Sequence, residues 1–67
     1  MTLNQLSQNV AATIVSCADL QLREIGFSTG EKVKIIAVAS FDGPLAVRVG
    51  TSTFALRIEE AELIEVI

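Results

Sequence analysis

The chain has 67 residues, 51% of them hydrophobic, with a formal net charge of −3. That length leaves room for one domain, spanning residues 1–67, and a domain this small buries only about 60% of the surface its unfolded chain would expose. Scattered Lys and Arg, no Tyr or Trp and an acidic balance argue against nucleic-acid binding, which needs a basic face and stacking platforms. The lone Cys17 rules out an internal disulfide and fits a reducing compartment. The longest apolar run, Ile35 to Ala39, is far short of a membrane span, and Met1 to Gln8 lacks the features of a signal peptide. These readings lead to the expectation of a cytoplasmic protein with no direct membrane insertion. A high apolar content in so small a domain leaves two possibilities: the eight alanines account for the surplus, or large apolar side chains stay exposed as a docking patch.

In chain order, Leu3 and Leu6 read as anchors of an irregular N-terminal arm. Asn9 tolerates the left-handed conformation and suits a turn into a first strand, Val10–Val15, rich in β-branched residues. Ser16 and Asp19 are alternative caps for a helix over Ala18–Ile25, in which Ala18, Leu22 and Ile25 share one face and Leu20 falls off it. Gly26 ends the helix, and Phe27 folds back towards Leu22. After a turn at Ser28–Glu31, Lys32–Ile35 alternates, whereas Ile36–Ala39 is apolar on both faces. That change predicts a bend whose second half covers another part of the core.

Phe41-Asp42-Gly43-Pro44 reads as a tight reversal, with Asp-Gly supplying positive φ and Pro44 opening the next strand. Leu45, Val47 and Val49 point inward, while Ala46 and Arg48 point out. Gly50–Ser52 turns the chain into a strand over Phe54–Ile58. Glu59-Glu60-Ala61-Glu62 forms a single turn with acids where a helix start favours them, and Glu65–Ile67 is a closing strand. The fold class predicted is mainly β with one short helix: a small, partly open five-stranded barrel.

Leu22-Arg23-Glu24-Ile25-Gly26-Phe27, Gly30, Val33, Pro44, Ala55-Leu56-Arg57, Glu60-Ala61 and Ile64-Glu65-Val66 together resemble the FeoA family, the small ferrous iron transport protein A. The resemblance covers essentially the whole chain. It implies an SH3-like domain in a cytosolic accessory of ferrous iron uptake that acts with the cytoplasmic region of the membrane transporter FeoB. A domain of this kind also resembles the C-terminal module of some iron-dependent repressors, which supplies an alternative: a regulatory protein-binding module. Three departures stand out. Thr29 replaces a frequent Pro, which predicts a less rigid turn; Asp42-Gly43-Pro44 replaces Gly-Asp-Pro; and Asp19-Leu20-Gln21-Leu22 replaces a more basic approach to the helix.

No catalytic constellation accompanies these motifs. Without histidine there is no neutral-pH proton shuttle of the usual kind and no imidazole base for Ser, Thr or Cys. The Gly26–Gly30 segment follows a helix and precedes a strand, the reverse of a phosphate-cradling loop. Iron(II) sites typically combine imidazole with carboxylate, so Glu59, Glu60, Glu62 and Glu65 read as a solvated acidic surface. No metal, cofactor or enzymatic activity is expected.

Cys17 reads either as a small apolar residue at a strand–helix junction or as a thiol activated by the helix start. Arg57, on the outward face of its strand, is read as pinning Glu60 or the last strand, or as touching a partner. The partner-binding residues proposed from sequence are Leu20, Gln21, Arg23 and Glu24 on the outer helix face, with Phe41. Two readings of Phe41 stay open: folding over the barrel's open end, or meeting another molecule. Weak self-association is left open too.

Overall fold

In the computed structural model, which describes residues 1–67, five antiparallel strands form one curled sheet in the order β4-β3-β2-β1-β5. The strands are β1 Ala11–Cys17, β2 Lys32–Val38, β3 Leu45–Val49, β4 Ser52–Leu56 and β5 Ile64–Val66, with α1 Leu20–Ile25 after β1 and α2 Ile58–Ala61 between β4 and β5. A short 3-10 turn, Leu3–Gln5, precedes them. The mainly β, five-stranded expectation holds, with two short helices where one was expected.

β1 makes the curl. Its first half pairs with β2 (Ala11 with Lys34, Thr13 with Lys32), and its second half pairs with β5 (Ile14 with Val66, Cys17 with Ile64) across an irregularity between Ile14 and Ser16. At the crossover the strand bonds on both sides. Thr13 and Ile67 exchange N–H···O bonds of 2.9 Å, and Ile14 donates to Glu31 at 2.9 Å. β4 and β5 remain the two edges of the sheet, joined through α2 without a ladder between them. The closing strand therefore pairs with β1, and the barrel is partly open.

The strand pattern builds one core. Fifteen apolar residues are buried and no polar or charged residue is. Leu45, Val47 and Val49 from β3 meet Val33 and Ile35 from β2, Ala12 and Ile14 from β1, and Ile64 and Val66 from β5. Phe27, wholly buried, lies 5.7 Å from the half-buried ring of Phe54 at a tilt of 56°, a geometry aromatic pairs favour. Leu3 is also wholly buried, so the N-terminal arm seals this core as expected, helped by Leu6 at its edge.

Several local expectations are corrected. β1 runs through Ser16 and Cys17, which leaves Asp19 as the cap: its carboxylate accepts from the Leu22 N–H at 3.4 Å. The helix therefore starts at Leu20, and Ala18 lies outside it. One and a half turns offer the core a single residue, Leu22; Ile25 is 47% exposed. Gly26, at φ +134°, ends the helix, and the Phe27 N–H donates to the Leu22 carbonyl at 3.0 Å. That backbone bond turns Phe27 inward. Thr29 ties its turn to β1 by donating from its hydroxyl to the Val15 carbonyl at 3.1 Å. Asn9 does adopt the left-handed region, at φ +67°.

The C-terminal stretch differs as well. The strand stops at Leu56, and Ile58 opens α2 instead of ending the strand. The cause is Arg57, whose backbone N–H donates to the Glu60 carboxylate at 2.8 Å. The main chain, and not the guanidinium, thus engages Glu60, and Arg57 stands at the head of α2 instead of on a strand face. Replacing Glu60 by Ala should therefore cost about 1 kcal/mol. Arg57→Ala should stay within roughly 0.5 kcal/mol of the parent. Urea denaturation of the two variants side by side checks this, and the reverse ranking would show that the guanidinium matters.

Candidate functional site

The β2–β3 hairpin carries the most conspicuous surface. Its register slips between Ile35 and Ala37, the bend expected from the doubly apolar run. Beyond the bend, however, Ala37, Val38 and Ala39 are exposed and do not cover the core. The ladder continues past the slip, with Val38 opposite Leu45 and the Ala39 N–H donating to the Pro44 carbonyl at 3.1 Å. The hairpin thus projects its apolar residues beyond the packed interior. Pro44 stands just before β3, as its missing N–H requires.

At the tip, Phe41 is 98% exposed and has φ +57°. The exposure decides between the two readings of Phe41, and the φ corrects the reading of the turn. The ring does not fold over the barrel end, and the positive φ falls on Phe41 instead of on the Asp-Gly pair. Gly43 serves another purpose: a Cβ there would lie 2.6 Å from the Ala39 Cβ, so glycine lets the two arms of the hairpin meet. A bulky residue in the left-handed region is unusual and costs about 1–2 kcal/mol. Phe41 therefore spends backbone strain on a side chain that contributes no burial.

Below the tip, Ala37, Val38, Ala39, Pro44, Ala46 and Ala55 surround a shallow trough of about 260 Å³. Ala37, Ala46 and Ala55 are successive cross-strand neighbours on β2, β3 and β4. Small side chains in that row leave the backbone close to any molecule that lies across it. Both explanations of the apolar surplus thus meet here, since the exposed patch is built largely of alanine.

The other sequence-proposed residues lie elsewhere. Leu20 is 58% exposed, and Gln21, Arg23 and Glu24 are exposed along α1. Asp19, Gln21, Leu22, Glu24, Ile25 and Glu60 surround a separate cleft of about 390 Å³. β2 separates α1 from the Phe41 turn in the chain, and a strand of its length spans on the order of 20 Å. Gln21 and Glu24 line the cleft on α1, and no cavity brings Phe41 together with any of the α1 residues. Sequence reading missed the exposed trough, although its signal was present in the doubly apolar run.

Chemistry is sparse. Glu60 is occupied by the Arg57 N–H, and Glu65 pairs with the α-amino group at 2.7 Å on the molecule's only ion pair. No three His, Cys, Asp or Glu side chains converge to hold a metal ion. Cys17 is buried, its Sγ 3.5 Å from the Asp19 carbonyl. No helix is long and apolar enough to cross a membrane.

A small antiparallel sheet curled over one apolar core, with its free surfaces on a hairpin and a short helix, defines an SH3-like module. The FeoA domain model matches residues 1–67, and the chain belongs to the FeoA domain family. FeoA from Stenotrophomonas maltophilia, solved with zinc, is 39% identical over 100% of this chain and 89% of that one, with a TM-score of 0.89. It is described as a prokaryotic SH3 domain protein and a candidate activating factor for bacterial ferrous iron transport. Iron(II) transport protein A from Clostridium thermocellum is 34% identical over 98% of this chain, with a TM-score of 0.90; this chain spans only 44% of that one. A manganese-dependent transcriptional repressor matches at TM-score 0.86 and 20% identity, over 40% of its own length, and shows the shared fold alone. No curated protein matches the chain.

If Phe41 is retained for contact and not for folding, Phe41→Gly should leave stability unchanged or raise it by up to about 1 kcal/mol. Relief of the left-handed strain offsets glycine's added unfolded-state entropy. Thermal unfolding checks this; a fall in Tm of several degrees would show that the ring supports the fold.

Proposed function

We propose that this protein is a cytoplasmic accessory of ferrous iron uptake that docks on the cytoplasmic region of FeoB and tunes transport or the transporter's nucleotide cycle. It works through contact and carries out no catalysis of its own. Membership of the FeoA family and relatives named for ferrous iron transport support this setting. The observation that carries the docking is Phe41, a strained residue 98% exposed at the head of an apolar trough. Strain and exposure at one position oppose folding, so a use outside the fold accounts for them best.

In this reading Phe41 is the anchor. A buried aromatic is the usual centre of a small interface, and Ala37, Ala46 and Ala55 let the partner's backbone come close. Leu20, Gln21, Arg23 and Glu24 form a second contact on α1. The fold shared with the manganese-dependent repressor favours the alternative, a regulatory module bound within a transcription regulator, only at the level of architecture.

Titrating isotopically labelled protein with the purified cytoplasmic portion of FeoB, with and without guanine nucleotide, tests the assignment by NMR. Amides of the Phe41 hairpin and α1 should shift. Phe41→Ala should weaken binding by roughly tenfold or more, a loss of about 1.4 kcal/mol, and Leu20→Ala by a smaller factor. An unshifted spectrum at saturating FeoB would remove the proposed partner, and binding unaffected by Phe41→Ala would remove the proposed anchor.

A further inference from the structure

The outer face of the sheet changes character along β2. Near the hairpin tip it is apolar; towards the start of the strand it is cationic. Three of the chain's five Lys and Arg residues, Lys32, Lys34 and Arg48, stand together around a cleft of about 350 Å³ floored by Gly30, Val33 and Gly50. Lys34 lies directly opposite Arg48 in the β2–β3 ladder, flanked by Ala11 on β1, and Arg48 lies opposite Thr53 on β4. All three cations are exposed, and none is in an ion pair. Glu31 also borders the cleft, so the local balance is three positive charges against one negative, in a chain whose net charge is −3.

Like charges directly opposite across a strand pair destabilise a sheet. This sequence has acids to spare, and none of its carboxylates forms an ion pair with any of the three cations. A local conflict of this kind, left without an ion pair to offset it, is characteristic of a functional site.

We infer that this cationic face receives an extended acidic segment of a protein partner, with carboxylates at alternate positions. Spacing supports a chain over a small anion. Lys32 and Lys34 are two residues apart on a strand, about 6.6 Å, the same repeat at which an extended peptide presents alternate side chains to one side. Lys34 and Arg48 lie within the ladders of β1, β2 and β3, and the neighbouring Gly30 and Glu31 N–H groups donate to the Ile14 and Ser28 carbonyls. Outward stand two ammonium groups, one after the other along β2, with the Arg48 guanidinium beside Lys34 on β3. A polyanion such as nucleic acid, or an anionic membrane, would meet three cations on a body that is negative overall, and long-range repulsion disfavours both. A short segment with a few alternating acids carries less charge to be repelled and meets the three cations with Glu31 as the one acid beside them. The apolar row at Ala37, Ala46 and Ala55 continues the same sheet face, so small apolar residues adjoining the acids would extend the contact towards the hairpin. The inference concerns a surface distinct from Phe41 and stands whichever partner the hairpin tip meets.

The test is an NMR titration with a capped peptide alternating Glu and Val, against versions carrying Gln or Lys in place of Glu. Shifts centred on Lys32, Lys34 and Arg48, with a dissociation constant on the order of a millimolar for so exposed a set of ion pairs, are expected. The affinity should fall several-fold between about 50 and 300 mM salt. The double variant Lys34→Glu with Arg48→Glu should lose the Glu peptide by at least roughly fivefold and gain the Lys peptide instead. Because both side chains are exposed, that variant should keep its fold, as its amide spectrum would show, and Phe41→Ala should leave the peptide affinity unchanged. Equal binding of the Gln and Glu peptides, or no shift at millimolar Glu peptide, would overturn the inference. So would matching shifts with inorganic phosphate or phosphatidylserine vesicles, or concentration-dependent shifts without peptide, which would give the face to a small anion, a membrane or a second copy of the chain.

Discussion

The fold depends on β1 serving two partners in turn. A strand whose first half pairs with β2 and whose second half pairs with β5 must curl, and the bonds on both sides at Thr13 and Ile14 hold the curl at one point. The buried apolar side chains are then brought into one cluster: β3 contributes Leu45, Val47 and Val49, the helix and its stop contribute Leu22 and Phe27, and the N-terminal arm contributes Leu3. With all buried residues apolar, hydrophobic burial and backbone hydrogen bonds carry the stability, and the exposed charges contribute little to it.

That economy leaves the convex side free. A domain of this size cannot bury both faces of its sheet, and the outer face of β2, β3 and β4 has no element packed over it. The chain has used this face unevenly, with alanines and an exposed phenylalanine near the hairpin tip and three unpaired cations near the other end. The tip of the hairpin, where Phe41 holds φ +57°, is the place where local preference and observed structure disagree most. Conflicts of that kind gather where a protein meets something else. The FeoA domain match places the chain in a family whose relatives are named for ferrous iron transport.

Much of this was legible in the residues. Alternation at Leu45, Val47 and Val49 fixed the inward face of β3, and Gly26 followed by Phe27 marked the helix stop. Asn9 announced a left-handed turn, and the Ile36–Ala39 run announced a bend. The failures share a cause. Side-chain pattern reports how a residue would behave if something lay across it, and says little about whether anything does. Ala37, Val38 and Ala39 read as core because they are apolar, and Ile25 read as core because of its spacing; neither has a neighbour to bury it. The end of β4 was misplaced for a different reason. Ile58 continues the strand alternation, but the backbone bond from Arg57 to Glu60 starts a helix one residue earlier, and such a bond leaves no periodic trace. The proposed helix and hairpin residues were plausible one at a time, yet only the structure showed that they line no common cavity.

In the proposed function, the surface that makes contact is one the fold does not need. Ferrous iron uptake, measured in cells lacking the native copy and supplied with either the parent chain or Phe41→Ala at equal soluble abundance, tests it most directly. The variant is expected to accumulate as a folded protein and to lose most of the uptake the parent restores. Uptake restored in full by the variant would contradict it.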